Sequence, residues 1–170
     1  MDIVYEYSFF DATLTSWVLL RQVSSAMQKV AEHKLAKSGL TPEQVDVLWI
    51  CRDHPDTLIP AEISRLIFRE EQTVTGLLNR MEREGLLKRV PKRKGKPFTE
   101  IKITEKGTEA AGDAIVVAKA LIVDIMSTLS AAEHEELQRM LRVLQSKIAE
   151  LLRIELVTRD YSEDDTIRVK

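Results

Sequence analysis

A chain of 170 residues with 44% apolar and 31% charged residues, but only 6 Gly and 5 Pro, is neither disordered nor collagen-like. That length suits one compact domain, or one domain with an appended oligomerisation element. A single cysteine excludes an intrachain disulfide and points to a reducing compartment.

The early acids Asp2 and Glu6 argue against a secretory signal. The most apolar stretch, Ala114 to Met126, is interrupted by Lys119 and Asp124 and is too short to span a bilayer. The expectation is therefore a soluble, cytoplasmic protein without membrane contact. The net charge of −2 conceals an asymmetry. Residues 1–59 carry 5 Lys/Arg against 8 Asp/Glu (net −3), residues 60–104 carry 11 against 6 (net +5), and residues 105–170 carry 9 against 13 (net −4). A basic centre between acidic flanks fits a face that meets a polyanion, and fits a merely solvated basic surface equally well.

Residues 10–36 read as a helix, with Leu20, Val23, Met27 and Val30 at 3, 4, 3 spacing and Leu14 and Trp17 one turn earlier. Ser38-Gly39 stops it. Thr41-Pro42-Glu43-Gln44 starts a second helix, with Thr41 as cap, Pro42 in the first turn and Gln44 as the reciprocal capping partner. Its core stripe is Val45, Leu48 and Trp49, and His54-Pro55-Asp56 ends it. From Pro60 a short helix buries Ile63, Leu66 and Ile67. After a turn near Phe68-Arg69-Glu70, another helix runs from about Glu71 to Glu84 and buries Val74, Leu77, Leu78 and Met81; Gly85 stops it.

The period then changes to two. Residues 86–90 and 100–104 read as strands joined by the basic loop Pro91-Lys92-Arg93-Lys94-Gly95-Lys96-Pro97-Phe98-Thr99. Two long helices close the chain. The first, over 105–129, places Ile115, Ala118, Ile122, Ile125 and Leu129 in heptad rhythm. The second begins at the capping box Ser130-Ala131-Ala132-Glu133 and continues the rhythm with Leu137, Leu141, Leu144, Ile148 and Leu151.

Helix, turn, helix and basic hairpin make a winged helix-turn-helix, so the fold class is mostly α with a small β-hairpin wing, flanked by long N- and C-terminal helices. A helix fits the DNA major groove, where polar side chains pair with base edges. Gln72, Thr73, Thr75 and Asn79 are the candidate base readers. Arg80, Arg83, Lys88 and Arg89 are candidates for phosphates, and Lys92, Arg93, Lys94 and Lys96 for a wing tip entering the minor groove. The competing use of the same surface is as an adaptor for an acidic protein partner.

The order of elements, the run Val74-Thr75-Gly76-Leu77-Leu78-Asn79-Arg80-Met81-Glu82-Arg83-Glu84-Gly85-Leu86-Leu87 and the later Ile103-Thr104-Glu105-Lys106-Gly107 resemble the multiple-antibiotic-resistance regulator (MarR) family. The resemblance covers about residues 10 to 156. It implies a homodimeric transcription regulator, most simply a repressor, whose subunits each present a winged helix to a palindromic double-stranded DNA operator. It also implies a cleft for a small aromatic or apolar effector, for which Phe10, Trp17, Met27 and Trp49 are the candidates against ordinary core packing. One departure concerns the wing. The family's Asp, followed two residues later by Arg, is replaced here by Gly95 and Pro97.

The expected organisation is an N-terminal dimerisation helix over 1–40, the winged module over 41–104, dimerisation helices over 105–156 and a polar tail over 157–170. The length of the heptad helices supports a homodimer without the resemblance, packing within one chain being the alternative. Cys51 and His54 share a helix face, but the histidines have no ligand spacing, so a small buried thiol is expected rather than a metal or redox site. No phosphate loop, nucleophile elbow or Cys/His quartet is present, so no metal, cofactor or catalytic residue is expected.

Overall fold

The computed structural model describes residues 9–54, 58–90 and 99–154. Helices α1 (Ala12–Leu35), α2 (Pro42–Asp53), α3 (Pro60–Leu66) and α4 (Glu71–Arg83) precede strands β1 (Leu87–Val90) and β2 (Glu100–Ile103). Helices α5 (Glu105–Met126) and α6 (Ala131–Leu152) follow. The chain divides into two compact units, Met1–Ala118 and Lys119–Lys170, so α5 begins in one and ends in the other.

The helix boundaries have chemical causes. The Thr13 amide donates to the Asp11 carboxylate at 2.7 Å, which caps α1. After a 3-10 turn over Ala36–Ser38, Gly39 takes φ +71, the left-handed geometry that closes the element. Thr41 and Gln44 form the expected reciprocal box: the Gln44 amide donates to Thr41 Oγ1 at 3.3 Å, and the Thr41 amide to Gln44 Oε1 at 2.9 Å. At α3 the Glu62 carboxylate accepts from the Ile59 amide at 2.9 Å. Ser130 and Glu133 close the same kind of box at α6. Helix α5 stops at Met126, three residues short of the expected end. There the Ser127 and Thr128 hydroxyls donate back to the carbonyls of Asp124 and Ile125, at 3.0 and 2.8 Å, in competition with the backbone ladder.

The core of the first unit is built around Val45, Val47, Leu48, Leu58, Ile63, Val74, Leu78, Met81 and Ile115, each nearly inaccessible to solvent. Leu66, Ile67 and Trp49, expected inside, are half-buried against it. The strands pair antiparallel with Leu87 opposite Ile103 and Arg89 opposite Ile101, and an isolated bridge joins Leu58 to Ile101. The Thr104-Glu105-Lys106-Gly107 block has a physical role here. Thr104 Oγ1 donates to the Gly85 carbonyl at 2.7 Å and accepts from the Gly107 amide at 2.9 Å, while Lys106 Nζ donates to the Glu84 carbonyl at 2.7 Å. A Cβ at Gly107 would overlap the Leu86 carbonyl oxygen, so only glycine permits this close approach. The block fastens the start of α5 to the end of α4.

The heptad positions are not all covered within the chain. Ala111, Ala114 and Ile115 on the first part of α5 are buried, but Ile122, Leu141, Leu144, Ile148 and Leu151 are exposed. Along α1, Leu14, Trp17, Leu20, Val23, Met27 and Val30 are exposed as well. Among the described residues no single helix is long and apolar enough to cross a membrane.

Candidate nucleic-acid interface

Helix α4 is sealed on one face and open on the other. Val74, Leu77, Leu78 and Met81 are buried, each at 7% exposure or less, which turns Gln72, Thr73, Asn79, Arg80 and Arg83 outward with Thr75 half-buried among them. Positions 72, 75, 79 and 83 follow the three-and-four spacing that places side chains on one helix face. The site is held from below by Gln44, whose Nε2 donates to the Glu84 carboxylate at 2.7 Å and ties α2 to the end of α4. Gln44 is buried, and among the described residues no buried polar side-chain atom lacks a partner.

Of the phosphate candidates, Arg80 and Lys88 are exposed and make no ion pair among the described residues. Arg83 Nε donates to the Asn79 carbonyl at 3.4 Å. Arg89 is engaged inside the protein. Its Nη1 pairs with the Glu82 carboxylate at 3.1 Å, its amide donates to the other Glu82 oxygen at 3.1 Å, and its Nη2 donates to Asn79 Oδ1 at 2.6 Å. Lys92, Arg93, Lys94 and Lys96 lie outside the described residues.

Sequence reading missed Lys102. The strand register sets it directly opposite Lys88, and both are exposed. Like charges at facing positions destabilise a two-stranded ladder, so this pair makes physical sense where an anion lies over the wing. The alternation of Glu100-Ile101-Lys102-Ile103 carried the signal, since it puts Lys102 on the outer face of the strand.

The remaining candidates do not join this surface. Trp49 packs against the core, whereas Phe10, Trp17 and Met27 stand exposed on the N-terminal segment and α1. Burial pushes the Cys51 thiol up to about 12, so it stays protonated and weakly nucleophilic near neutral pH. Among the described residues no group of three or more His, Cys, Asp or Glu side chains is placed to hold a metal.

Two helices joined by a turn, a polar exposed second helix and a two-stranded hairpin define a winged helix-turn-helix module, a class that presents one helix to the DNA major groove. A model of the MarR family matches residues 38–96, which span the turn, α2 to α4 and β1. The chain is 28% identical over 125 residues to the HTH-type transcriptional repressor IacR of Pseudomonas putida, covering 74% of each chain. It is 26% identical over 145 residues to the HTH-type transcriptional repressor YetL of Bacillus subtilis, covering 84% of this chain and 87% of that one. The S. aureus MepR–DNA complex superposes with a TM-score of 0.74 at 26% identity, over 79% of this chain and 98% of MepR. Through its winged module the chain is thus similar to the MarR family of DNA-binding transcription regulators.

Proposed function

We propose that the protein is a homodimeric repressor that holds a palindromic operator through α4 and the wing and is released by a small aromatic or apolar effector. The open polar face of α4, backed by a sealed core and flanked by Arg80, Lys88 and Lys102, is the observation that carries this reading. Gln72, Thr73, Thr75 and Asn79 address base edges in the major groove, while Arg80, Arg83, Lys88 and the wing lysines neutralise phosphates. The exposed apolar positions of α1 and α6 supply the material for the contact between subunits. Two modules in one dimer would meet half-sites about one DNA turn apart. The names of IacR and YetL, both repressors, support the sign of regulation.

The test is fluorescence anisotropy against the DNA upstream of the protein's own gene and a shuffled control, across a salt series. Preference for the upstream DNA by a factor of about 10³ or more, with a steep salt slope, is expected. Equal, weak binding to both duplexes would overturn the reading and send the search towards an acidic protein partner. For the effector, calorimetric titration with aromatic carboxylates should give heat and lower the DNA affinity. By linkage, bound operator DNA should weaken effector binding by the same factor.

A further inference from the structure

The contact between Arg89 and Asn79 has a consequence for which bases α4 can read. A guanidinium carries only N–H donors, so the atom of Asn79 that meets Arg89 Nη2 at 2.6 Å must be the carboxamide oxygen. The orientation of the amide is therefore set by chemistry. The bond is charge-assisted and short, and Arg89 is itself held by two further hydrogen bonds to the Glu82 carboxylate at 3.1 Å. Asn79 is exposed, and its amino group has no partner among the described residues.

A free asparagine reads adenine with both ends at once, its oxygen accepting from N6–H and its amino group donating to N7. Here one lone pair of the oxygen is committed to Arg89, and the guanidinium beside it disfavours the approach of a further donor such as adenine N6–H. The unpartnered end is a donor only. It suits guanine, whose N7 and O6 both accept, or the O4 of thymine; adenine offers it N7 alone beside an N6–H donor left without an acceptor, and cytosine offers only its amino group.

We infer that Arg89, clamped by Glu82, is a specificity-setting positioning residue that turns Asn79 into a donor-only reader selecting guanine or thymine over adenine and cytosine at one position of each half-site. The inference rests on α4 being the base-reading helix. Arg89 acts here through Asn79 and is not a direct phosphate ligand.

The experiment is selection from a pool of random-sequence duplexes, with the full-length protein and two variants whose folding is checked by circular dichroism. For the unaltered protein, one half-site position should favour guanine or thymine. Arg89→Met frees the Asn79 oxygen, and the same position should move towards adenine by about five-fold or more, the lower end of what one good base contact is worth. Asn79→Asp keeps an acceptor for Arg89 but removes the donor, so that position should turn to cytosine, whose N4 a carboxylate accepts. The Asp variant preserves the helix-to-wing link and keeps the question open to test if the Met variant loses its fold. An adenine preference in the unaltered protein overturns the inference. So does an Arg89→Met variant that weakens binding evenly while every base preference stays in place. No enrichment by the unaltered protein would overturn the DNA-reading assignment of α4 itself, a result distinct from either of these.

Discussion

Helices α4 and α6 are both amphipathic, yet the chain treats their apolar faces in opposite ways. On α4, Leu78 is 1% exposed, and its neighbours Val74, Leu77 and Met81 are covered by the rest of the winged module. On α6, Leu144 is 47% and Leu151 70% exposed, although their heptad spacing is as regular. Apolar side chains fully withdrawn from water stabilise by roughly 1.5–3 kcal/mol each, so the first face builds the fold. The second leaves that energy unused within the described chain. The difference separates residues that make the module from residues whose burial requires a second surface, and the proposed homodimer supplies one.

Breaking the module should have the largest effect. Leu78→Ala removes a packed side chain from the centre of α4 and should cost about 2–5 kcal/mol in chemical denaturation, at every protein concentration. DNA affinity should fall with the folded fraction. A loss below about 1 kcal/mol would mean that α4 is less firmly seated than its burial implies.

The matching change on α6, Leu144→Lys, should leave the folding of the first unit almost untouched. Its effect should fall on association, weakening the dimer at least about ten-fold as judged by sedimentation equilibrium. Because an obligate dimer gains stability with concentration, the two variants should also separate in that respect. Leu144→Lys should shift the concentration dependence of unfolding to higher protein concentration, and Leu78→Ala should leave it where it is. A wild-type protein that remains a 19.4 kDa species at all concentrations would break the comparison outright.

The sequence made the module legible because local chemistry and burial agree there. Thr41, Pro42 and Gln44 announce a helix start that the structure contains as a closed capping box, and Val74, Leu77, Leu78 and Met81 keep strict helical spacing against a common core. The flanking helices were legible as helices but not in their packing, because a heptad stripe looks the same whether its cover is the same chain or another copy. Within the site, exposed polar positions such as Gln72 and Asn79 could be assigned from the helix face alone. The engagement of Arg89 could not. It joins residues seven and ten positions apart across the end of a helix and the start of a strand, a relation that no periodicity encodes. For Lys102 the alternation does encode the outward placement, but only the strand register shows that it faces Lys88.

A smaller effect is expected at the turn between α3 and α4. The Arg69 amide donates to the Ser64 carbonyl at 2.9 Å, closing α3 with the wrapping pattern that normally has glycine at its left-handed position. Here that position is Phe68, with φ +53, and its ring is 54% exposed. Phe68→Gly relieves the crowding of a β-carbon in the left-handed region but adds freedom to the unfolded chain. The balance should be a gain of up to about 1 kcal/mol, since little packing is lost. A clear loss would show that the added freedom of the unfolded chain and the lost ring packing outweigh the relief at Phe68.

The smallest effect, and the most diagnostic of where stability resides, concerns Asp46 on α2. Partial burial raises its carboxyl above the ordinary value, the Glu43 carboxylate adds to that, and Arg69 opposes both. The folded chain thus holds this proton more tightly than the unfolded chain. Asp46 is penalised when ionised at neutral pH, and the penalty fades as pH falls through the raised value to the ordinary carboxylate range. Asp46→Asn should therefore stabilise at pH 7, by less than about 1 kcal/mol because solvent reaches the side chain, and the gain should vanish below about pH 4. Since the group lies in the module and not on the exposed stripe of α6, the gain should be the same in dilute and concentrated protein. A gain that persisted at acidic pH would belong to the shape of the side chain rather than its charge. A gain that grew with concentration would mean that α2 contributes to the contact between subunits.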